Sequence, residues 1–271
     1  MQVVLTDQAR LLMLIALCGL LWALESIIPL YKFHNSRVRH ALPNVALTLM
    51  LVITNLALSF SSAYLADFSV RNGIGLFPLL NNSSWTQVVF GVLALDLFGY
   101  FAHVLLHKSW LGWQFHRVHH SENAVDVTTS FRQHPGETVW RILWRLAAIV
   151  VFGIPLWIVV VYLIFSGLNA ELEHANIKLN RRLDWFLRLL IVTPNMHKVH
   201  HSRDQIETDS NYSNIFSIWD RLFSTYTSAI DFRRLKYGLE GFDVQERQTL
   251  KGLLKMPFIS CNRLCLKSPD C

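Results

Sequence analysis

Charge is what this chain has least of. Only 16% of its 271 residues are Asp, Glu, Lys or Arg, against about 25% in an ordinary soluble domain, which argues against a water-soluble globule. Cysteine is also sparse. One of the four lies in an apolar run, and Cys261, Cys265 and Cys271 fall in the last eleven residues. That pattern builds neither a disulfide framework nor a paired-CxxC zinc site, and the terminal thiols read as an ordinary reduced tail. No H-E-x-x-H word occurs, which excludes an intramembrane zinc protease of that motif. Disorder is excluded by 17 Phe, 9 Trp and 7 Tyr. The net charge of +6 could suit nucleic acid, but the basic residues sit beside long apolar runs. A membrane surface is the partner expected, and no nucleic acid.

What the chain does have is long apolar runs, set against the need for about 20 residues to cross a bilayer. Leu11–Leu30 is interrupted only by Glu25, Leu42–Ala66 carries no formal charge, and Trp85–Leu106 carries only Asp96. The first lacks the basic start and small-residue cleavage site of a secretory signal and is expected to be retained. A fourth run, Thr138–Leu172, is too long for one span and has Gly153-Ile154-Pro155 near its middle. Proline lacks an N–H and clashes with the preceding turn, so two arms folding back as a hairpin are expected. Lys32, Arg37 and Arg39 occupy the first loop, whereas Asp67–Ser84 holds only Arg71. The positive-inside tendency therefore puts the first loop, and with it His103 and His107 at the end of the third span, in the cytoplasm. Arg141 and Arg145 are expected together at that membrane surface, and the more polar chain beyond about His174 on the same side. No repeat or linker divides the sequence.

Histidine is the excess. Ten of the 12 fall between His103 and His201, in three short words: His103-x3-His107, His116-x2-His119-His120 and His197-x2-His200-His201. On a helix, positions i, i+3 and i+4 share a face about 5–6 Å apart, so each word aims two or three imidazoles at one point. Thr193-Pro194 before the last word resembles a helix start, with Thr193 or Asn195 near the cap. Neutral imidazole is the commonest metal ligand, and this many suits two ions better than one. A lone histidine beside a span is usually interfacial, and basic runs can simply anchor to head groups, but a repeated H-x2-HH word is rare by chance. His34 and His40 are left as ordinary loop residues. Asp96, Tyr100, His103 and His107 fall at i, i+4, i+7 and i+11, one helix face. Asp96 is therefore expected to orient a ligand histidine in preference to a merely structural hydrogen bond.

Further words extend the pattern: Trp113-Gln114-Phe115 before the first H-x2-HH, then Asp126-Val127-Thr128-Thr129, Arg132-Gln133-His134-Pro135, His174-Ala175-Asn176-Ile177, Asn211-Tyr212 and Trp219-Asp220-Arg221-Leu222-Phe223. From about Asp96 to Tyr226 the chain resembles the fatty acid hydroxylase superfamily, specifically the sterol desaturase branch that includes alkylglycerol monooxygenases. The resemblance implies a membrane-embedded centre of two iron ions at the cytoplasmic face, using O2 and external electrons. Carried over by position, it implies His103, His107, His116, His119, His120, His197, His200 and His201 as ligands, and adds His134 and His174. Asp96, Asp209 and Asn211 are candidates to support the ligands from behind. The chain departs from the family in Val104, where Arg is frequent, in Ala170 and Lys178, which flank His174 where some relatives have a second His, and in Ser224, where Gly is frequent. A shared site for His134 and His174 also requires the Gly153–Pro155 hairpin, since a single span would part them.

The fold expected is all-α: a polytopic membrane helical bundle with a cytoplasmic histidine-rich helical cap. Residues 1–84 are read as N-terminal spans, 85–230 as the hydroxylase-type region of the same domain, and 231–271 as a cytoplasmic tail. The function expected is O2-dependent hydroxylation or desaturation of a C–H bond in a lipid or sterol-like substrate whose tail enters from the bilayer. A separate reductase or electron carrier is the expected electron source. The alternative on the same scaffold is an ether-lipid monooxygenase. A membrane haem- or zinc-binding protein is the non-enzyme alternative. His134-Pro135-Gly136-Glu137 looks superficially like a haem-binding word, but haem favours single histidines opposed across spans, and transport favours polar residues at midplane.

Overall fold

The apolar runs become helices whose ends fall where the chain gives them a reason to stop. A computed structural model describes residues 2–32, 36–80, 84–228 and 232–259; Cys261, Cys265, Cys271 and His34 lie outside them. In chain order the helices are α1 (Gln2–Ile27), α2 (Arg37–Arg71), α3 (Leu76–Leu80), α4 (Ser84–Lys108), α5 (Trp110–His120), α6 (Pro135–Phe152), α7 (Leu156–His174), α8 (Arg181–Leu187), α9 (Pro194–His200), α10 (Gln205–Thr208), α11 (Ile218–Leu222) and α12 (Leu250–Lys255). A 3-10 turn, Val127–Phe131, sits between α5 and α6. No strand occurs among the described residues, only isolated bridges at Pro29–Ile177 and Ile191–Phe216.

Three helical stretches, Arg37–Leu79, Trp85–Lys108 and Leu156–His174, are long and apolar enough to cross a membrane, and Leu12–Ile27 is a shorter apolar helix. Their outer faces are apolar too. On α2, Leu49, Ile53, Leu56, Phe60 and Tyr64 recur every three or four residues and are each more than half exposed. An exposed stripe of this kind is stable against lipid tails, not against water. The fold is an all-α membrane bundle with a histidine-rich end.

Gly153 and Pro155 divide the fourth run as the sequence predicts. Gly153 ends α6 in the left-handed conformation (φ 67°, ψ 44°) with its N–H donating to Ile149 O, and Pro155 stands as the N-cap of α7. Both arms pack against α4. Their far ends return to one place: Glu137 of α6 lies 3.0 Å from His116, and His174 of α7 lies 3.1 Å from His119.

Glu25, the only charge in the first run, fastens that same end. It is buried. One carboxylate oxygen accepts from Val127 N (2.8 Å) and Asn176 N (2.7 Å), and the other pairs with Arg37 at 2.5 Å. The chain leaving α1 then runs beside the chain leaving α7, with Lys178 N donating to Ile28 O and Leu30 N to Asn176 O.

Two expectations change here. Residues 232–259 are not a detached tail: Leu239, Phe242, Leu253 and Met256 form one core with Leu47, Trp113 and Val118. Buried Arg117 of α5 also donates to the carbonyls of Met256 and Ile259. His40 is not a loop residue either. It lies in α2, 3.5 Å from Glu122 and 3.7 Å from Asp126.

A Cβ built on Gly153 would come within 2.4 Å of Ile74 O, and the left-handed backbone itself costs an L-residue about 1–2 kcal/mol. Gly153→Ala is therefore expected to lower stability by at least about 1 kcal/mol. Thermal unfolding in detergent measures it, and an unchanged midpoint would contradict the packing of α6 on the residue 74 turn.

Candidate metal centre

Local chemistry brings the histidine words together. Ser109 caps α5 by accepting from Gly112 N (3.0 Å), and α5 turns back tightly on α4. A Cβ at Gly112 would lie 2.7 Å from Leu105 O, so the approach needs glycine there. Thr193 caps α9, accepting from Met196 N, with Pro194 in the first turn. Between them, Thr193 and Pro194 start a helix just long enough to carry His197 and His200 and to end at His201. Buried Lys198, inside the same word, reaches back to the C-terminal end of α7 and donates to the carbonyls of His174 (3.2 Å) and Ala175 (2.5 Å). A cation suits those unpaired helix-end carbonyls, and burial pushes its pKa down to about 8.

Nine buried imidazoles gather in two groups. His103, His107, His116, His120 and His200 form the first, and His119, His174, His197 and His201 the second. Within each group, one ligand atom per residue lies within 4.8 Å of every other. The groups adjoin: the rings of His120 and His201 stack at 4.7 Å and those of His116 and His119 at 5.3 Å. Each H-x2-HH word serves both. His116 and His120 go to the first group and His119 to the second, whereas His197 and His201 go to the second and His200 to the first.

The proton positions follow from the partners. A carbonyl can only accept, so an imidazole nitrogen facing one carries the proton and leaves its lone pair on the other nitrogen. Nδ1 of His103 faces Tyr212 O at 2.8 Å, that of His200 faces Ser210 O at 2.7 Å, and that of His174 faces Ala170 O at 2.6 Å. Nδ1 of His119 faces Arg132 O at 3.3 Å, and that of His116 faces the carboxylate of Glu137 at 3.0 Å. In two pairs, His103 with His116 (3.0 Å) and His174 with His119 (3.1 Å), this leaves Nε2 lone pairs facing each other, and His174 Nε2 also lies 3.0 and 3.2 Å from the Nε2 atoms of His197 and His201. Facing lone pairs repel unless a cation lies between them. The facing nitrogens, 3.0 to 3.2 Å apart, are close enough together for one ion to be held by them. An all-imidazole set suits a transition metal such as iron or zinc rather than magnesium or calcium. The residues present therefore fit a pair of metal ions.

Burial keeps these rings neutral. His119, His120, His197, His200 and His201 are held well below the usual imidazole pKa, first by desolvation. The neighbouring imidazoles of each cluster add to the effect.

The remaining expected residues stand elsewhere. His134 joins neither group. Its Nδ1 accepts from Gly136 N (3.0 Å), making it the N-cap of α6, and its ring packs on Phe115. Asp96 meets no histidine. Its carboxylate takes N–H donors from Ile215 (3.2 Å), Phe216 (3.0 Å) and Trp219 (2.8 Å), so it ties α4 to the distant segment at the start of α11. Asn211, at φ 53°, tethers its loop to α9 and to residue 227 through Met196 O and Thr227 O. Asp209 lies beside the first group, 3.5 Å from His107 Nδ1 and 3.2 Å from Lys108. Arg141 pairs with Glu137 at 2.8 Å.

Three acids were not singled out from the sequence. Glu137 receives His116. Buried Glu173 takes Asn169 Nδ2 at 3.1 Å and lies 3.8 Å from His197 Nε2. Buried Asp220 accepts from Tyr212 N, Ser213 N and Thr225 Oγ1, holding the loop whose carbonyl takes the His103 proton. Glu137 and Glu173 are charges at the ends of apolar runs, the signal that drew notice to Asp96, and could have been read the same way.

Comparison with known proteins agrees with this geometry. The family described as fatty acid hydroxylase matches residues 88–225. The alkylglycerol monooxygenase of Xenopus tropicalis is 32% identical over 173 residues, 63% of this chain and 36% of that protein. The ornithine lipid hydroxylase of Rhizobium tropici is 33% identical over 144 residues, 52% of this chain and 41% of that protein. Methylsterol monooxygenase 2-2 of Arabidopsis thaliana is 29% identical over 192 residues, 67% of this chain and 68% of that protein. The chain thus spans less than half the length of the first two. No solved structure matches it. The matched stretch covers just over half of the chain and holds every histidine of both groups, and the chain belongs to the fatty acid hydroxylase family.

Proposed function

We propose that this protein is a membrane-bound di-iron oxygenase that hydroxylates a C–H bond of a lipid. The balance is R–H + O2 + 2 electrons + 2 protons giving R–OH + H2O, with the electrons supplied by a separate reductase or carrier. The observation that carries the reading is the double set of converging imidazole nitrogens, five rings in one group and four in the other. His103, His107, His116, His120 and His200 would hold one ion, and His119, His174, His197 and His201 the other. Iron bound there would supply O2 activation, which no side chain can do. His134, anchored as a helix cap, is left out of the ligand set.

The protein's own residues do the rest. The carbonyls of Tyr212, Ser210, Arg132 and Ala170 hold the Nδ1 protons and fix which nitrogen faces inward. Glu137, steadied by Arg141, faces His116 Nδ1 at 3.0 Å and would make that ring a stronger ligand. Glu173 and Asp209 offset the positive charge that neutral imidazoles leave uncompensated. Burial excludes water from both groups, and the apolar helix faces let a lipid tail approach from the bilayer. Lys32, just after α1, and Arg37 and Arg39, in the first turn of α2, lie near the histidine end, where Arg37 pairs with Glu25, which supports a cytoplasmic centre and several membrane passes. The names of the relatives support lipid chemistry, and that of the Xenopus protein keeps ether lipids among the substrates to test.

Membrane lipids compared by mass spectrometry with and without the gene test the reaction. A gain of one oxygen is expected; a loss of two hydrogens would mark desaturation and a split ether would mark an ether-lipid monooxygenase. His200→Ala should abolish the product, and about two irons per chain should bind on anaerobic reconstitution. No lipid change, or a bound haem with its Soret band, would overturn the reading.

Two further outcomes are specific to the geometry. Glu137→Gln should weaken metal retention about 10- to 100-fold in chelator competition, and equal retention would remove Glu137 from the centre. The pH dependence has a definite sign. Unfolded histidines take up protons below about pH 6.5, whereas the buried ones resist until far lower. The metal-free protein should keep its full stability above that pH and lose it progressively as pH falls. Thermal midpoints between pH 8 and 5 read this out, and a midpoint that holds or rises on acidification would contradict it.

A further inference from the structure

Between α7 and α9 the chain makes a detour that the metal centre does not use. It leaves α7 at His174, and α8 starts seven residues later at Arg181. Within α8 only Asp184 is buried, accepting from Thr193 Oγ1 at 2.7 Å. Just beyond it, the carbonyl of Arg188 accepts from Arg221 and Ser217, both at 2.7 Å. The segment is thus firmly held from beneath, yet its outer surface is unlike a water-facing one. Leu183, Trp185, Phe186, Leu189 and Leu190 are between 44% and 65% exposed. Set among them, Arg181, Arg182 and Arg188 line a surface pocket of about 270 Å³ together with Trp185. Among the described residues, neither Arg181 nor Arg182 has an acidic partner. Arg188 lies 3.8 Å from Asp184 and donates to Ser228 Oγ at 3.3 Å.

We propose that residues 181–190 lie in the plane of the bilayer surface and that the pocket of Arg181, Arg182, Trp185 and Arg188 holds the phosphate of an anionic phospholipid. Three observations converge on that occupant. The segment begins seven residues after the end of a helix long enough to cross the membrane, which places it at the head-group level. Its exposed Leu, Trp and Phe side chains suit the boundary between head groups and tails, where tryptophan is favoured. Its guanidinium groups match phosphate oxygens in geometry and charge. A soluble acidic protein would satisfy the arginines but leave the interleaved apolar side chains against water. Because Asp184 also grips Thr193, the N-cap of α9, the bound lipid braces the helix that carries His197 and His200. The proposal rests on α7 crossing the membrane, and not on which metal the histidines hold.

The test uses the full-length protein in neutral detergent, titrated with phosphatidylglycerol, phosphatidylcholine, inorganic phosphate or polyglutamate, with bound lipid read by native mass spectrometry. Phosphatidylglycerol should bind saturably and be displaced by salt. Arg181→Gln with Arg182→Gln should weaken it about thirtyfold, taking about fivefold for each basic residue at a membrane surface. Arg181→Lys with Arg182→Lys should restore most of the binding, which separates lost charge from lost folding. Equal binding of phosphatidylcholine would overturn the proposal, as would undiminished binding by the Gln variant. Competition by inorganic phosphate at equal concentration would assign the pocket to a free anion instead, and competition by polyglutamate to an acidic protein.

Discussion

An imidazole serves a metal only when its proton is held on the far side of the ring, and much of this structure follows from that requirement. Each ring that faces a carbonyl or carboxylate with Nδ1 needs that acceptor fixed to within a few tenths of an ångström. Ala170 O comes from the same helix as His174 and costs nothing extra. The acceptors for His103 and His200, Tyr212 O and Ser210 O, come from a loop, and a loop must be tied. Asp220 takes two of its N–H groups, Asn211 joins it to α9, and Asp96 clamps the next stretch onto α4. These polar residues never meet the rings. They are there because the rings need immobile acceptors, and in a low-dielectric surround an unmet polar group is expensive.

The two H-x2-HH words add a second constraint. In each, the i and i+4 histidines serve one group and the i+3 histidine crosses to the other. Neither α5 nor α9 can therefore shift without disturbing both groups at once. The approach of α5 to α4 at Gly112 and the capping of α9 by Thr193 are accordingly tight, local and made from the chain's own short-range signals. The missing fifth member of the second group follows from the sequence too: α7 offers Ala170 one turn before His174, where α4 offers His103 one turn before His107. Glu173 stands beside that gap, 3.8 Å from His197.

What could be read from the sequence was whatever repeats at short range. The apolar runs, the break at Gly153–Pro155, the histidine words and the Thr193-Pro194 helix start are all local patterns, and the structure places each where the pattern puts it. The roles of single polar residues were not legible, because they depend on partners over a hundred positions away. Asp96 shares a helix face with His103 and His107, which suggested a bond to a ring, but its partners are Ile215, Phe216 and Trp219. His134 lies in a word shared with the family, yet its ring is spent on capping α6. Main-chain acceptors such as Arg132 O leave no trace in residue identity at all. Ser224 is an intermediate case: it replaces a frequent glycine and still adopts φ 58°, so the backbone keeps the glycine conformation that the side chain disfavours.

Scarce charge turns out to be concentrated charge. Glu25 in α1, Asp96 in α4, Glu137 at the start of α6 and Glu173 near the end of α7 are each buried. Glu25 and Asp96 accept backbone N–H groups from distant segments, Glu137 lies 3.0 Å from His116, and Glu173 accepts from Asn169 of its own helix. Apolar helices sliding against one another in lipid have little to fix their register, since tails are as apolar as the side chains they meet. A carboxylate with one satisfactory set of donors fixes it, because any slip leaves the charge unpaired in hydrocarbon. Glu25 and Asp96, whose donors lie in distant segments, therefore set the heights of α1 and α4 by hydrogen bonding, and nine imidazoles drawn from different segments can meet only if such heights are set.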